Sequence, residues 1–228
     1  MAIHIDRHVP GPLFAFEDRI HAGRELASFM ALEPDPDALV LALPRGGVPV
    51  ARPIAVDLRA TVEPVVVRKL PIPESPEMGF GAVAIDGTTV LNEGVVRSFS
   101  IPMDTIGRVA GEVRREVERR AREYAGTTEP PNVEGKTVYL VDDGLATGYS
   151  MLVAARMVAK RGPASIRMAV PVSPIASIEL VDGVFDEKYC LLAQDSPPFA
   201  VASFYRDFHE MTDEEVRQHL QAGARSGR

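Results

Sequence analysis

Short apolar runs and longer amphipathic stretches alternate along the chain. The apolar runs are rich in β-branched residues, which favours strands that are buried on both faces of a parallel sheet. These runs lie at residues 38–43, 63–67, 138–141, 166–172 and 188–193. Apolar residues at helical spacing, or a composition typical of helices, predict helices at residues 17–32, 48–58, 102–124, 151–161, 175–181 and 213–220. The pattern therefore predicts buried strands separated by helices.

Three other segments depart from this alternation. Residues 70–80 contain three prolines and several small or polar residues, which predicts a loop without regular structure. Residues 82–85 and 88–91 flank Asp86-Gly87, a dipeptide that favours the tight turn of a β-hairpin. Residues 1–16 show no clear period, so we expect an irregular start to the chain.

Composition and charge exclude several classes of protein. The chain has 228 residues, of which 46% are hydrophobic and 25% charged, as in soluble globular proteins. Its formal net charge of -7 argues against a general binder of nucleic acid or membrane surfaces. Cys190 is the only cysteine, so no disulfide forms within the chain. The first residues do not resemble a signal peptide and no apolar run approaches about 20 residues, so we expect no membrane span and a cytoplasmic location.

The apolar run at residues 138–141 ends in two carboxylates and a small-residue loop. Asp142 and Asp143 are followed by Gly144 to Ser150 and then by a predicted helix. Glycines and a helix N-terminus direct backbone N–H groups to one point, and Thr147 can add a hydroxyl donor, so the loop can bind a phosphate. The carboxylates suit a ribose diol or a nearby divalent cation. The pattern indicates a sugar phosphate, although an ordinary strand-to-helix turn remains an alternative.

Cations follow two other predicted strands. Residues 38–43 lead into Pro44-Arg45-Gly46-Gly47, where the guanidinium fork of Arg45 suits a second anion. The carboxyl ends of parallel strands share one crevice, so this junction and the acidic loop are expected to face each other. Arg68 and Lys69 follow residues 63–67 in the same way. Each of these cations could instead be a solvated side chain at the end of a strand.

The sequence from Val141 to Ser150 resembles the phosphoribosyl pyrophosphate (PRPP) motif of the type I phosphoribosyltransferases. Tyr149 departs from the small or polar residue that is usual at its position. Further similarity, to a subgroup of bacterial and archaeal members whose acceptor is not established, lies at Phe16-x-Asp18-Arg19-x-x-Ala22-Gly23-x-x-Leu26-Ala27, residues 43–51, Arg68-Lys69-Leu70, residues 81–83, Pro171-Val172-x-Pro174 and Phe204-Tyr205-x-Asp207-Phe208. The resemblance covers nearly the whole chain.

The resemblance implies an α/β fold of the type I phosphoribosyltransferases, with a central parallel sheet flanked by helices and a small hood. Residues 1–228 would form a single domain, with a core at about residues 14–180 and a hood built from the chain ends and about residues 185–221. Residues 71–91 would be a mobile lid. Dimers are common in the family, so a homodimer is an expectation.

The resemblance also implies a role for each site residue. Asp142 and Asp143 would hold the ribose hydroxyls and lie near Mg²⁺ indirectly, through Mg-PRPP. The 5′-phosphate would bind to the loop formed by Gly144, Leu145, Ala146, Thr147, Gly148, Tyr149 and Ser150. The leaving pyrophosphate would contact Arg45, Gly46 and Gly47, with Arg68 and Lys69 as further cations. Candidates for stacking on the base are Phe199, Phe204 and Tyr205, which could equally be core residues of the hood.

The implied activity is transfer of the phosphoribosyl group from PRPP to a small nitrogenous base, with Mg²⁺ as cofactor. The 6-oxopurine transferases have an aspartate where this chain has Ala146, which counts against hypoxanthine and guanine as acceptors. Two alternatives stay open: a regulatory module that binds PRPP or a nucleotide without chemistry, and a phosphorylase or hydrolase that acts on another ribose phosphate. No DNA-binding appendage is visible in the sequence.

Overall fold

The strands that the structure describes form two sheets. The computed structural model describes residues 2–11, 14–73 and 75–224, with side chains described as far as residue 221. The strands in these ranges are β1 (Ala2–Val9), β2 (Leu39–Ala42), β3 (Thr61–Pro64), β4 (Val67–Ile72), β5 (Ser75–Ala84), β6 (Thr89–Leu91), β7 (Thr137–Val141), β8 (Ser165–Pro174) and β9 (Glu187–Gln194). Six of them form a parallel sheet in the order β1-β9-β8-β7-β2-β3, and β4, β5 and β6 form an antiparallel sheet.

Helices lie between successive strands of the parallel sheet, and one helix follows the last strand. They are α1 (Arg19–Met30), α2 (Gly47–Leu58), α3 (Glu93–Ser98), α4 (Met103–Ala125), α5 (Tyr149–Ala159), α6 (Ile175–Leu180) and α7 (Asp213–Ala224), with a 3-10 turn at Val201–Phe204. The predicted α/β fold with a central parallel sheet is confirmed. Within the described ranges, no helix has both the length and the apolar character needed to cross a bilayer.

Four of the five predicted strands coincide with buried strands of the parallel sheet, whereas the apolar run at residues 63–67 is divided between the partly exposed edge strand β3 and the start of β4. All four residues of β2 are buried, as are Val138 to Val141 of β7, because helices pack on both faces of these strands. Most predicted helices begin and end within two or three residues of α1, α2, α4, α5, α6 and α7. The short helix α3 was not predicted; Asn92 caps it by accepting a hydrogen bond from the Val95 N–H.

The expected irregular start is wrong, because Ala2–Val9 is the edge strand β1. It pairs in parallel with β9, from Ala2 beside Glu187 to Val9 beside Gln194. Most of its side chains are exposed, so the strand is held mainly by backbone hydrogen bonds. An edge strand of this kind gives no apolar pattern for sequence analysis to detect.

The expected loop at residues 70–80 is also wrong. Strand β4 continues to Ile72 and β5 starts at Ser75, so most of the segment belongs to an antiparallel hairpin. Pro71 lies where the register between β4 and β5 shifts, a place that tolerates the missing N–H of proline. The predicted hairpin around Asp86-Gly87 is confirmed, since Val83 pairs with Thr89 across β5 and β6. Whether this sheet moves as a lid stays a prediction.

Three neighbouring strands end side by side at one edge of the parallel sheet. Ala42 of β2 pairs with Pro64 of β3 on one side and with Val141 of β7 on the other. The strands remain joined one residue further, because the Leu43 N–H donates to the Val141 carbonyl at 2.9 Å. The three segments that leave these strands therefore start next to one another, as the sequence predicts.

Candidate functional site

The loop after β7 presents free backbone amides at a helix start. The N–H groups of residues 146–150 donate no hydrogen bond to any described residue. The Leu145 N–H donates to the Val172 carbonyl at 3.0 Å, and the Ser177 hydroxyl donates to the Ala146 carbonyl at 3.0 Å, which fixes the loop against β8 and α6. Gly148 has a φ of 80° and precedes the first residue of α5. Orphan amides at a helix N-terminus can bind an anion such as a phosphate.

The two carboxylates at the end of β7 lie in different surroundings. Asp143 accepts a hydrogen bond at 2.7 Å from Nε of Arg19, and their side chains are only 15% and 9% exposed. Asp142 accepts one from the Asp143 N–H at 2.9 Å. Burial, together with the charge of Asp143, raises the pKa of Asp142 well above its usual value. Burial also raises the pKa of Asp143, although Arg19 opposes the rise.

Arg45 follows β2 and binds the C-terminal part of the chain. Its Nη1 donates to the Met211 carbonyl and, at 3.1 Å, to the Glu210 carboxylate. Its Nε lies 3.4 Å from a carboxylate oxygen of Asp213. The guanidinium is therefore near the predicted anion site, but protein acceptors already use part of its donor capacity.

Arg68 and Lys69 lie on β4, beyond the end of β3. Nη1 of Arg68 lies 3.4 Å from a carboxylate oxygen of Glu116 on α4, and Lys69 donates to the Glu77 carbonyl at 2.7 Å. Burial and the neighbouring charges of Arg120 and Arg45 lower the pKa of Arg68 despite Glu116. Several positive charges thus share a small volume, which favours the binding of an anion there.

A cleft of about 500 Å³ joins these junctions. Its lining includes five cations and a single carboxylate side chain, that of Glu210. The cations are Arg19, Arg45, Arg68, Lys69 and Arg120. Of the predicted site residues, the cleft brings together Arg45, Gly46, Arg68, Lys69 and Ser150, whereas Gly47, Asp142, Asp143 and residues 144–149 lie outside its lining. Its charge suits a multiply charged anion such as a diphosphate.

The two glycines after Arg45 allow the strand ends to approach closely. A Cβ added to Gly46 would lie 1.8 Å from Oδ2 of Asp143, and one added to Gly47 would lie 2.6 Å from the Val141 carbonyl oxygen. Neither distance leaves room for a side chain. The junction after β2 therefore requires glycine at both positions to pack against the acidic junction after β7.

Two of the predicted stacking residues lie in the core. Phe204 is 0% exposed and Tyr205 is 2% exposed, so neither ring has a free face for a base. Tyr205 instead donates its hydroxyl to the Asp143 carbonyl at 2.7 Å. Phe199 is partly buried and packs on Phe204, with ring centroids 5.5 Å apart. The alternative that these aromatic residues form a hood core fits Phe204 and Tyr205.

Sequence reasoning assigned no site role to several residues that line the cleft. Arg19 and Phe208 lie within the motifs that begin at Phe16 and Phe204, and Arg120 lies in the long predicted helix at residues 102–124. No pattern in the sequence marks Glu210 as a site residue. Arg19 is 124 residues from its partner Asp143, so no local pattern links the two.

Comparisons with known proteins agree on one family. The family model described as phosphoribosyl transferase domain matches residues 15–202. A Mycobacterium tuberculosis (strain H37Rv) protein with a provisional phosphoribosyl transferase name is 38% identical over 201 residues, which cover 88% of this chain and 45% of that protein. This chain thus spans about half the length of that relative. The crystal structure of TT1426 from Thermus thermophilus is 36% identical, with a TM-score of 0.72 over 91% of this chain and 98% of that one.

Proposed function

Because this chain belongs to the phosphoribosyl transferase family, we propose that it transfers the 5-phosphoribosyl group of PRPP to a nitrogenous base and releases pyrophosphate. One observation carries the proposal. The ends of β3, β2 and β7 lie side by side. The chain runs from β3 into β4, which carries Arg68 and Lys69, while β2 leads to Arg45 with its glycines and β7 leads to the acidic pair with the amide-rich loop. PRPP carries a diphosphate, a ribose and a 5′-phosphate in this order. The site offers cations, carboxylates and an amide-rich loop in the same order.

Each group of PRPP has a matching part of the chain in this proposal. The free amides of residues 146–150 bind the 5′-phosphate. Asp142 and Asp143 accept hydrogen bonds from the ribose hydroxyls. Arg45, Arg68 and Lys69 bind the diphosphate in the cleft.

The reaction is a displacement at ribose C1. A nitrogen lone pair of the base forms the new bond to C1 while the bond from C1 to the diphosphate oxygen breaks, and its electron pair leaves with pyrophosphate. A base that carries a proton on a ring nitrogen releases it to water. The transition state resembles an oxocarbenium ion, so negative charge grows on the leaving oxygen. Arg45, Arg68 and Lys69 stabilise that charge, and the loop and the acidic pair hold the ribose in line.

The acidic pair has the donor type that Mg²⁺ requires. Mg²⁺ prefers oxygen ligands, keeps several waters and is often held through substrate phosphates. Asp142 and Asp143 each use only one carboxylate oxygen in a hydrogen bond with an N–H group. In the proposal, they would hold Mg²⁺ indirectly, through Mg-PRPP. The ion supplies positive charge to the diphosphate.

The test is release of pyrophosphate from PRPP and Mg²⁺ across a panel of purine, pyrimidine and pyridine bases. We expect release with one class of base, and its loss in Asp142→Asn/Asp143→Asn. Because that variant also removes a buried charge, Arg68→Gln/Lys69→Gln provides a second control at partly exposed positions, with an expected loss of roughly 10- to 100-fold. Circular dichroism verifies that both variants fold.

The panel also separates the alternatives. Thermal stabilisation by PRPP without turnover of any base would favour a regulatory module. Turnover of a nucleotide without PRPP would favour a phosphorylase or hydrolase. Neither turnover nor stabilisation by PRPP would contradict the proposed site itself.

A smaller prediction concerns Glu210, which competes with a diphosphate for Arg45. Glu210→Gln is expected to tighten binding of inorganic pyrophosphate by roughly 2- to 5-fold, a small effect because the Glu210 side chain is 87% exposed. Isothermal titration calorimetry measures the affinity, and the gain should shrink as the salt concentration rises. Glu214→Gln on α7, whose partner is Arg217, is the matched control. Weaker binding in Glu210→Gln would show that Glu210 does not compete with the anion.

A further inference from the structure

Segments from both ends of the chain meet at Asp143. The N–H groups of Ala15 and Phe16 both donate to the Phe204 carbonyl at 3.0 Å, and Phe16 forms an isolated parallel bridge with Tyr205. Tyr205 in turn donates its buried hydroxyl to the Asp143 carbonyl at 2.7 Å. The two motifs that begin at Phe16 and Phe204 therefore form one structural unit around the acidic junction.

Arg19 is the member of this unit that reaches the carboxylate itself. Its Nε donates to Oδ2 of Asp143 at 2.7 Å, and its Nη1 donates to the His209 carbonyl at 3.1 Å. The guanidinium carbon lies 3.9 Å from the ring centroid of Phe208. A single side chain thus connects the acidic junction with residues 208–209.

The position of Arg19 is fixed by its own helix. It is the first residue of α1, and Asp18 caps that helix by accepting a hydrogen bond from the His21 N–H at 2.7 Å. The Asp18-Arg19 pair in the sequence therefore combines a helix cap with a buried cation. An arginine with a solvated side chain would not need a helix cap to fix its position.

Three groups restrict the Asp143 carboxylate. Arg19 donates a hydrogen bond to Oδ2, and Tyr205 donates one to the backbone carbonyl of the same residue. The carboxylate also packs closely against Gly46, because a Cβ added there would lie 1.8 Å from Oδ2. The other carboxylate oxygen, Oδ1, accepts no hydrogen bond from an N–H group of another described residue, and the Asp142 carboxyl lies within hydrogen-bonding reach of the Asp143 carboxyl. Because Arg19 holds Oδ2, Oδ1 is the oxygen that can accept from a ligand.

We propose that Arg19 is a positioning residue for the ribose, which holds one oxygen of Asp143 so that the other accepts a ribose hydroxyl, and which links that carboxylate to Phe208 and His209. The inference rests on the proposed function, because it takes the ribose of PRPP as the ligand of Asp143. Arg19 does not touch the reacting atoms. It acts through Asp143, and it fixes residues 208–209 along one side of the cleft.

Two probes separate this role from a merely structural one. In the proposed function, ribose 5-phosphate requires the amide-rich loop and the acidic pair, whereas inorganic pyrophosphate requires Arg45, Arg68 and Lys69. Arg19 also lines the cleft, but its charge is already paired with Asp143. We expect Arg19→Gln to weaken binding of ribose 5-phosphate by roughly 10- to 100-fold, the usual range for loss of a supporting hydrogen-bond partner, and to change binding of pyrophosphate by less than about 3-fold. The KM for PRPP should rise in parallel with the loss for ribose 5-phosphate.

Two further variants complete the experiment. Arg19→Lys keeps the charge and reaches Asp143 but cannot also donate to His209 in a planar fork, so we expect an intermediate loss for ribose 5-phosphate, roughly 3- to 10-fold, in a protein that remains folded. Arg24→Gln, an exposed position on the same helix, should bind both probes as the wild type does. Equal losses for both probes, or no loss for ribose 5-phosphate in either Arg19 variant, would overturn the inference. A wild-type protein that binds neither probe would overturn the proposed function as well.

Discussion

Replacement of Gly46 by alanine is expected to lower kcat/KM for PRPP by roughly 100-fold or more, in a protein that still folds. The backbone at Gly46 has a φ of −67° and a ψ of −29°, which alanine adopts without strain. The effect is therefore steric. The new Cβ would lie 1.8 Å from Oδ2 of Asp143 and 3.0 Å from Nε of Arg19, so the carboxylate must turn away and lose its guanidinium partner.

The matched controls for this variant are Gly107→Ala and Gly111→Ala on α4. A Cβ at either position meets nothing within 4 Å, and both residues are exposed. Alanine should stabilise the helix there by about 0.5–1 kcal/mol without affecting activity. Steady-state kinetics and urea denaturation measure the two effects. Activity of Gly46→Ala within about 3-fold of the wild type would show that the orientation of Asp143 does not matter for PRPP.

The sequence predicts the middle of the molecule well, for a physical reason. Central parallel strands are buried on both faces, so residues 138–141 appear as a continuous apolar run that few other structures share. The sharp change from that run to Asp142-Asp143 marks the carboxyl end of the strand. The same reasoning places Arg45 beside the acidic pair, because adjacent parallel strands end at one edge.

The edges of the sheets are predicted poorly, for the opposite reason. Strand β1 has mostly exposed side chains, and its stability comes from backbone pairing with β9, which is distant in sequence. The start of β5 carries Pro76, which a local analysis assigns to a loop. Backbone pairing across long sequence distances leaves no periodic trace in either segment.

The candidate site shows the same division. Local patterns predict residues 142–150 and Arg45 as site residues, because both segments come shortly after a predicted strand. The partners of these residues come from elsewhere in the chain: Arg19 binds Asp143, and Glu210 binds Arg45. The aromatic residues near the C-terminus were candidates either for stacking on a base or for a hood core, and Tyr205 is buried, with its hydroxyl donating to the Asp143 carbonyl. Composition alone cannot distinguish a ring that faces a ligand from one that fills a core.

Replacement by asparagine is expected to destabilise the fold strongly at Asp143 and only slightly at Asp142. Asp143→Asn leaves the guanidinium of Arg19, which is 9% exposed, without its carboxylate. Removal of one partner from a buried ion pair is strongly destabilising, so the free energy of unfolding should fall by about 3 kcal/mol at neutral pH. Asp142 has no cationic partner among the described residues, and burial and its acidic neighbour disfavour its charge. Asp142→Asn should therefore cost little.

The pH dependence of the free energy of unfolding distinguishes the two variants. The pKa of Asp142 is higher in the folded chain than in the unfolded one, so the wild type loses stability as pH rises above the unfolded value of about 4. Asp142→Asn has no proton to lose there, and its stability relative to the wild type should increase with pH. Urea denaturation between pH 4 and pH 8 measures both variants. If the stability of Asp142→Asn relative to the wild type fell with rising pH, Asp142 would be stabilised as an anion, contrary to its surroundings.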